Sequence, residues 1–181
     1  FVIGCCGAVL LGRLSDIVDY LLYVDKKTGL PNREKLNIYI GEMAGKVLPE
    51  AFTCFTLSLD NLSELTKRFG YTVGDGVLKD FAGLVQLMGD TEGMRGYNGI
   101  GRFVVFFEEC SSKKAAAMIR ILDNQVEEYN SLNPEYPIRY TAAWATTEET
   151  DTYEIRELLR LSQKKWKQME KEKKDKTEEE T

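Results

Sequence analysis

The residues of this chain that could do chemistry gather in a few short runs. Gly99-Ile100-Gly101-Arg102-Phe103 sets a guanidinium beside a glycine-rich turn. An arginine at such a tip can pair bidentately with a phosphate, a fixed stand-in for the charge of a metal ion. The other reading of Arg102 is a solvated side chain on an exposed turn. Hard oxygen ligands for a divalent ion could come from Asp60, in the run Ser58-Leu59-Asp60, and from the Glu108-Glu109 pair. Thr66 offers one hydrogen bond through its hydroxyl, and Asp75, just ahead of Val77-Leu78, reads as a helix cap.

Composition narrows the chemistry. The chain has no histidine, which removes the commonest general base and the commonest transition-metal ligand. Its four cysteines, Cys5, Cys6, Cys54 and Cys110, show no C-x-x-C spacing, so neither a zinc site nor a disulfide framework is indicated. They read as reduced, mostly buried thiols of a cytoplasmic protein. A net charge of -5 carries no basic bias toward nucleic acid, and 181 residues with 43% hydrophobic side chains suffice for one core of ordinary size.

Positioning these residues falls to a regular set of elements. Apolar spacing predicts helices over about residues 13–24, 33–47, 62–69, 76–87, 113–129 and 153–171. Strands are expected at 52–59, where Cys54 and Thr56 alternate against Phe55 and Leu57, at 138–145, and in a hairpin formed by 94–97 and 103–107. Asn98-Gly99 supplies the positive φ values that a tight hairpin needs. Strands separated by helices around one hairpin describe an α+β sandwich of the ferredoxin-like or polymerase-palm kind, a central, mostly antiparallel sheet flanked by helices.

The ends differ from the middle. Residues 1–12 are uncharged but shorter than the roughly 20 apolar residues of a membrane span, so a truncated transmembrane tail and a buried or interfacial helix are both open. Within 13–24, Leu14, Ile17, Val18, Leu21, Leu22 and Val24 mark one broad apolar helical face. Residues 172–181 are rich in charge and read as a solvated tail.

Three blocks, taken in order, carry a resemblance. They are Asp25-Lys26-Lys27-Thr28-Gly29-Leu30-Pro31-Asn32-Arg33, the stretch from Ser58-Leu59-Asp60 to Phe69-Gly70-Tyr71-Thr72-Val73-Gly74-Asp75-Gly76-Val77-Leu78, and the hairpin run at 99–103. Over residues 25–171 their types and spacing resemble the GGDEF domain of diguanylate cyclases. That pattern reads D-x-L-T-G-L-x-N-R, then D-x-D-x-F-K-x-x-N-D-x-x-G-H-x-x-G-D-x-x-L, then G-G-D-E-F or G-G-E-E-F.

The resemblance implies a GGDEF, nucleotidyl-cyclase palm-like fold and a reaction joining two GTP molecules into cyclic di-GMP. A ribose 3′-hydroxyl attacks an α-phosphate, helped by two divalent ions. This chain departs from the pattern where that chemistry is carried. The carboxylate opening the D-x-D run is Ser58, and the third and fourth signature residues are Gly101 and Arg102. Losing three anions and gaining a cation, a local change of four charge units against the pattern, repels Mg²⁺. If the metal clamp supplies about 5–8 kcal/mol of transition-state stabilisation, its loss removes roughly four to six powers of ten in rate. The guanine-reading pair becomes Thr66 and Asp75, the product-inhibition run R-x-x-D becomes Asp90-Thr91-Glu92-Gly93, and the phosphate-contacting Lys of the closing helix falls on or beside Glu170.

The expectation is a catalytically inactive domain, a regulatory, dimerisation or nucleotide-sensing module of bacterial cyclic di-GMP signalling. It has no catalytic residues and no metal, with GTP as a candidate ligand. A vestigial nucleotide site is expected from Ser58, Thr66, Asp75, Gly99 and Arg102. Its partners are a second copy, joined in parallel through residues 13–24, and an upstream sensor or membrane segment anchoring a cytoplasmic domain to the inner membrane. The alternative is an active diguanylate cyclase whose metal site is rebuilt from Asp60 and Glu108-Glu109.

Overall fold

The computed structural model describes residues 16–89 and 93–179. The apolar run 1–12, Cys5 and Cys6, and Asp90-Thr91-Glu92 of the inhibition run lie outside the described residues. In chain order the elements are α1 (16–23), α2 (Arg33–Met43), β1 (Thr53–Leu59), α3 (Leu62–Phe69), α4 (Tyr71–Gln86), β2 (Gly93–Gly99), β3 (Arg102–Phe107), α5 (Ser112–Leu132), β4 (Tyr140–Thr146), α6 (Thr147–Thr150) and α7 (Ile155–Glu179). The strands form one antiparallel sheet in the order β2-β3-β1-β4. The α+β sandwich read from the sequence is the fold.

β1 is buried at every position, which requires helices on both faces of the sheet. Alternation sorts its side chains between two cores. Phe55, Leu57 and Leu59 join Phe81, Phe103 and Leu122 on one face, while Cys54 joins Leu36, Phe106 and Leu158 on the other. Burial pushes the Cys54 thiol up to about 12, and both Cys54 and Cys110 are free and buried.

Several element ends differ from the sequence expectation, each for a local reason. Asn32 caps α2 by accepting from the Lys35 backbone N–H at 3.1 Å, and the helix ends at Met43 because Gly45 takes φ +81°. Gly70, at φ +90°, is the whole junction between α3 and α4, so α4 begins at Tyr71 rather than near Gly76. Asp75 therefore lies inside α4 and caps nothing. In the hairpin the positive φ values belong to Gly99, Ile100 and Gly101 (84°, 52° and 69°) and not to Asn98. Residues 172–179 continue α7 as helix, with 172–175 exposed to solvent.

Gly96 on β2 is the point where α2 settles on the sheet. A Cβ there would stand 2.3 to 2.6 Å from the branched end of Leu36, which is itself buried. Gly96→Ala is expected to destabilise the domain by about 1–3 kcal/mol in urea unfolding, since Leu36 has nowhere to retreat; an unchanged midpoint would show that α2 is loosely seated.

Candidate functional site

Strand register alone gathers the chemistry at one end of the sheet. Ser58 on β1 stands between Arg102 on β3 and Thr141 on β4. From α7, Trp166, only 4% exposed, donates its indole N–H to Ser58 Oγ at 2.9 Å. The Arg102 guanidinium lies over the same ring, 4.9 Å from its centroid. Ser58 donates to Asp60 Oδ1 at 2.6 Å, and Thr141 donates to Asp60 Oδ2 at 2.6 Å. Lys173, well along α7, brings its ammonium to 3.6 Å from that second oxygen and bonds Thr141 Oγ1 and the Tyr140 carbonyl at 2.8 and 2.7 Å.

These residues do not fit a divalent ion. Mg²⁺ wants several hard oxygen donors in octahedral array, whereas Asp60 has one oxygen taken by Ser58, the other by Thr141, and an ammonium alongside. Among the described residues no group of three His, Cys, Asp or Glu is placed to hold a metal. Glu108 and Glu109 offer no substitute. They follow Phe107, which pairs with Thr53 at the far end of β1, about 20 Å from Asp60 at ~3.3 Å per residue. The rebuilt site of Asp60 with Glu108-Glu109 is not formed.

Asp75 and Thr66, expected from the resemblance to read guanine, are bonded within the protein itself. Asp75 Oδ1 accepts from Lys27 Nζ at 2.8 Å across 48 residues of sequence. This bond lifts the Lys27 pKa above its ordinary value. A raised pKa favours the ammonium, so the pair is closed below about pH 10.5 and opens as pH rises through the lifted value. The loop is held ready by Asp25, whose Oδ1 accepts from the backbone N–H groups of Lys27 and Thr28 and from the Thr28 hydroxyl. Thr66 spends its hydroxyl on the Leu62 carbonyl at 2.8 Å, packed so closely under Gly74 that a Cβ there would stand 2.3 Å from Oγ1.

Of the residues expected at a nucleotide site, Ser58, Thr66 and Arg102 line one cleft of about 420 Å³, joined by Asp60, Lys67, Tyr71, Ile100 and Trp166 among others. Asp75 and Gly99 do not line it; Gly99 serves the hairpin turn, paired with Arg102.

Comparison with known proteins assigns the family. The sequence profile "Diguanylate cyclase, GGDEF domain" matches residues 22–176. The chain belongs to the GGDEF family. Solved structures agree on the fold. The coiled coil and GGDEF domain of DgcB from Caulobacter crescentus, in complex with c-di-GMP, superposes with a TM-score of 0.65 at 16% identity, over 80% of this chain and 79% of that one. The FimX GGDEF domain from Pseudomonas aeruginosa gives 0.64 at 18%, over 78% and 90%. The S helix-GGDEF-EAL chain of Vibrio cholerae LapD, bound to c-di-GMP, gives 0.62 at 12% over 75% of this chain, which spans only 32% of that longer protein. No curated protein matches the chain.

Three residues of this GGDEF site escaped the sequence reading. Lys27 stands where the family pattern has Leu, a visible departure whose partner lay too far along the chain to infer. Trp166 sits among the apolar positions of α7 and belongs to no motif that would mark it. Lys173 fell in the charged stretch taken for a tail, less than one helical turn beyond Glu170. Trp166→Ala is expected to destabilise the GGDEF domain by about 3–5 kcal/mol in urea unfolding, against about 1 kcal/mol or less for exposed Arg102→Ala. Equal small losses would mean that Trp166 does not fill the site.

Proposed function

We propose that this GGDEF domain makes no cyclic di-GMP and serves as a regulatory, dimerising module of a cyclic di-GMP signalling protein. One observation carries the reading. Where the family pattern places a metal-binding carboxylate, Ser58 is tied to the indole of Trp166, and the remaining carboxylate, Asp60, is satisfied by two hydroxyls and the Lys173 ammonium. A tethered cation there repels a second one.

Dimerisation is supported by α1. Ile17, Val18, Tyr20, Leu21 and Leu22 are each 49–57% exposed on a helix that leads directly into the Asp25 loop. Apolar side chains so placed are those a parallel second copy would cover. DgcB and LapD carry a coiled coil or S helix beside their GGDEF domains. A cytoplasmic position behind an upstream sensor or membrane segment goes with this reading, and the free, buried Cys54 and Cys110 suit a reducing compartment. Among the described residues no helix is long and apolar enough to cross a membrane.

Incubation of the chain with GTP and Mg²⁺ or Mn²⁺, read by mass spectrometry, is expected to yield no cyclic di-GMP, with turnover at least about four powers of ten below an active cyclase. Accumulating product would overturn the reading. Ser58→Asp alone is not expected to restore activity, because position 101 still lacks a carboxylate, and one introduced there would be strained at φ +69° with its Cβ 3.1 Å from the Leu59 carbonyl oxygen.

A further inference from the structure

Resting on the reading of a silent site, we propose that the cleft beneath the hairpin binds the di- or triphosphate group of a nucleotide without a metal and without selecting guanine. The charge inventory of the cleft leads there. Of its lining carboxylates, Asp60 is bonded by Ser58 and Thr141 beside Lys173, and Glu170 is paired with Lys174 at 3.0 Å. Its cations are in the opposite condition. Among the described residues neither the Lys67 nor the Arg102 side chain makes a hydrogen bond or ion pair. The cleft thus presents two unspent positive charges over neutralised carboxylates, which is the electrostatics of an anion site.

Arg102 is also pre-set for the task. Its guanidinium stacks on the Trp166 ring, and stacking leaves the in-plane N–H fork free for the paired oxygens of a phosphate. Lys167, likewise unpaired, lines a smaller cleft of about 140 Å³ on the other side of Arg102, so positive charge continues past it. At about 420 Å³ the main cleft falls within the range of small-molecule sites.

Base selection is lost for a separate reason. The Asp75 carboxylate is held by Lys27 and the Thr66 hydroxyl by the Leu62 carbonyl, so neither reads a purine edge. What the cleft rim offers a base is instead the ring of Tyr71, 78% exposed, and the side chain of Ile100, 89% exposed. Stacking on an aromatic face accepts any base.

The test is calorimetric titration of the chain in EDTA with GTP, ATP and sodium tripolyphosphate, with Trp166 fluorescence followed in parallel. ATP and GTP are expected to bind within about twofold of one another, and tripolyphosphate to compete with both. Arg102→Ala and Lys67→Ala, both at exposed positions and compatible with folding, should each weaken the nucleotides by about tenfold, while Arg102→Lys, which keeps the charge but not the fork, recovers only part. Binding of nucleotides but not of tripolyphosphate would place the contacts on the base and overturn the proposal. So would selective binding of GTP by the unmodified chain, a requirement for Mg²⁺, or no heat from any of the three. That last result leaves the silent-domain reading standing, since product formation tests it separately.

Discussion

The hydrogen bond from the Trp166 indole to Ser58 is the contact on which the character of this site depends. Ser58 stands on the buried central strand, and Trp166 on the last helix; the bond welds α7 to β1 at the place where a metal ligand would need room and negative charge. A neutral hydrogen bond of this kind contributes only about 1 kcal/mol net. Its weight comes from position. The indole is buried, its ring forms the bed on which Arg102 lies, and the serine it engages donates its own hydrogen bond to Asp60.

Two lysines complete the conversion. Lys173 approaches Asp60 and Lys27 holds Asp75, so the carboxylates that survive from the family pattern each face an ammonium drawn from the protein itself. These pairs are partly exposed and individually weak. Their effect is on chemistry more than stability, since they leave Asp60 and Asp75 already satisfied by the protein's own groups. Among the described residues the Lys67 and Arg102 side chains make no hydrogen bond or ion pair, Arg102 lying instead over the Trp166 ring.

Much of the fold was legible because its elements are strongly periodic and its turns glycine-marked. Alternation along 53–59 gave the strand, and its division between two cores followed from helices on both faces. Boundaries were less legible where one glycine did unusual duty. Gly70 compresses the expected gap between α3 and α4 to a single residue, which turned Asp75 from a cap into an interior helical position. The altered metal site was readable at Ser58, Gly101 and Arg102, since residue type alone reports a missing carboxylate. What filled the vacated space was not. Trp166 and Lys173 arrive from a helix more than a hundred residues away, and neither long-range packing nor the reach of a flexible lysine is encoded in local pattern.

The central claim is that protein groups have replaced the metal at Ser58 and Asp60. It is tested most directly by titrating Mn²⁺ into the labelled chain and following its two indole N–H signals by NMR, with Trp144 as the internal control for Trp166. The account predicts no selective broadening of Trp166. Preferential loss of the Trp166 signal at low Mn²⁺ would place an ion beside Ser58 and contradict it.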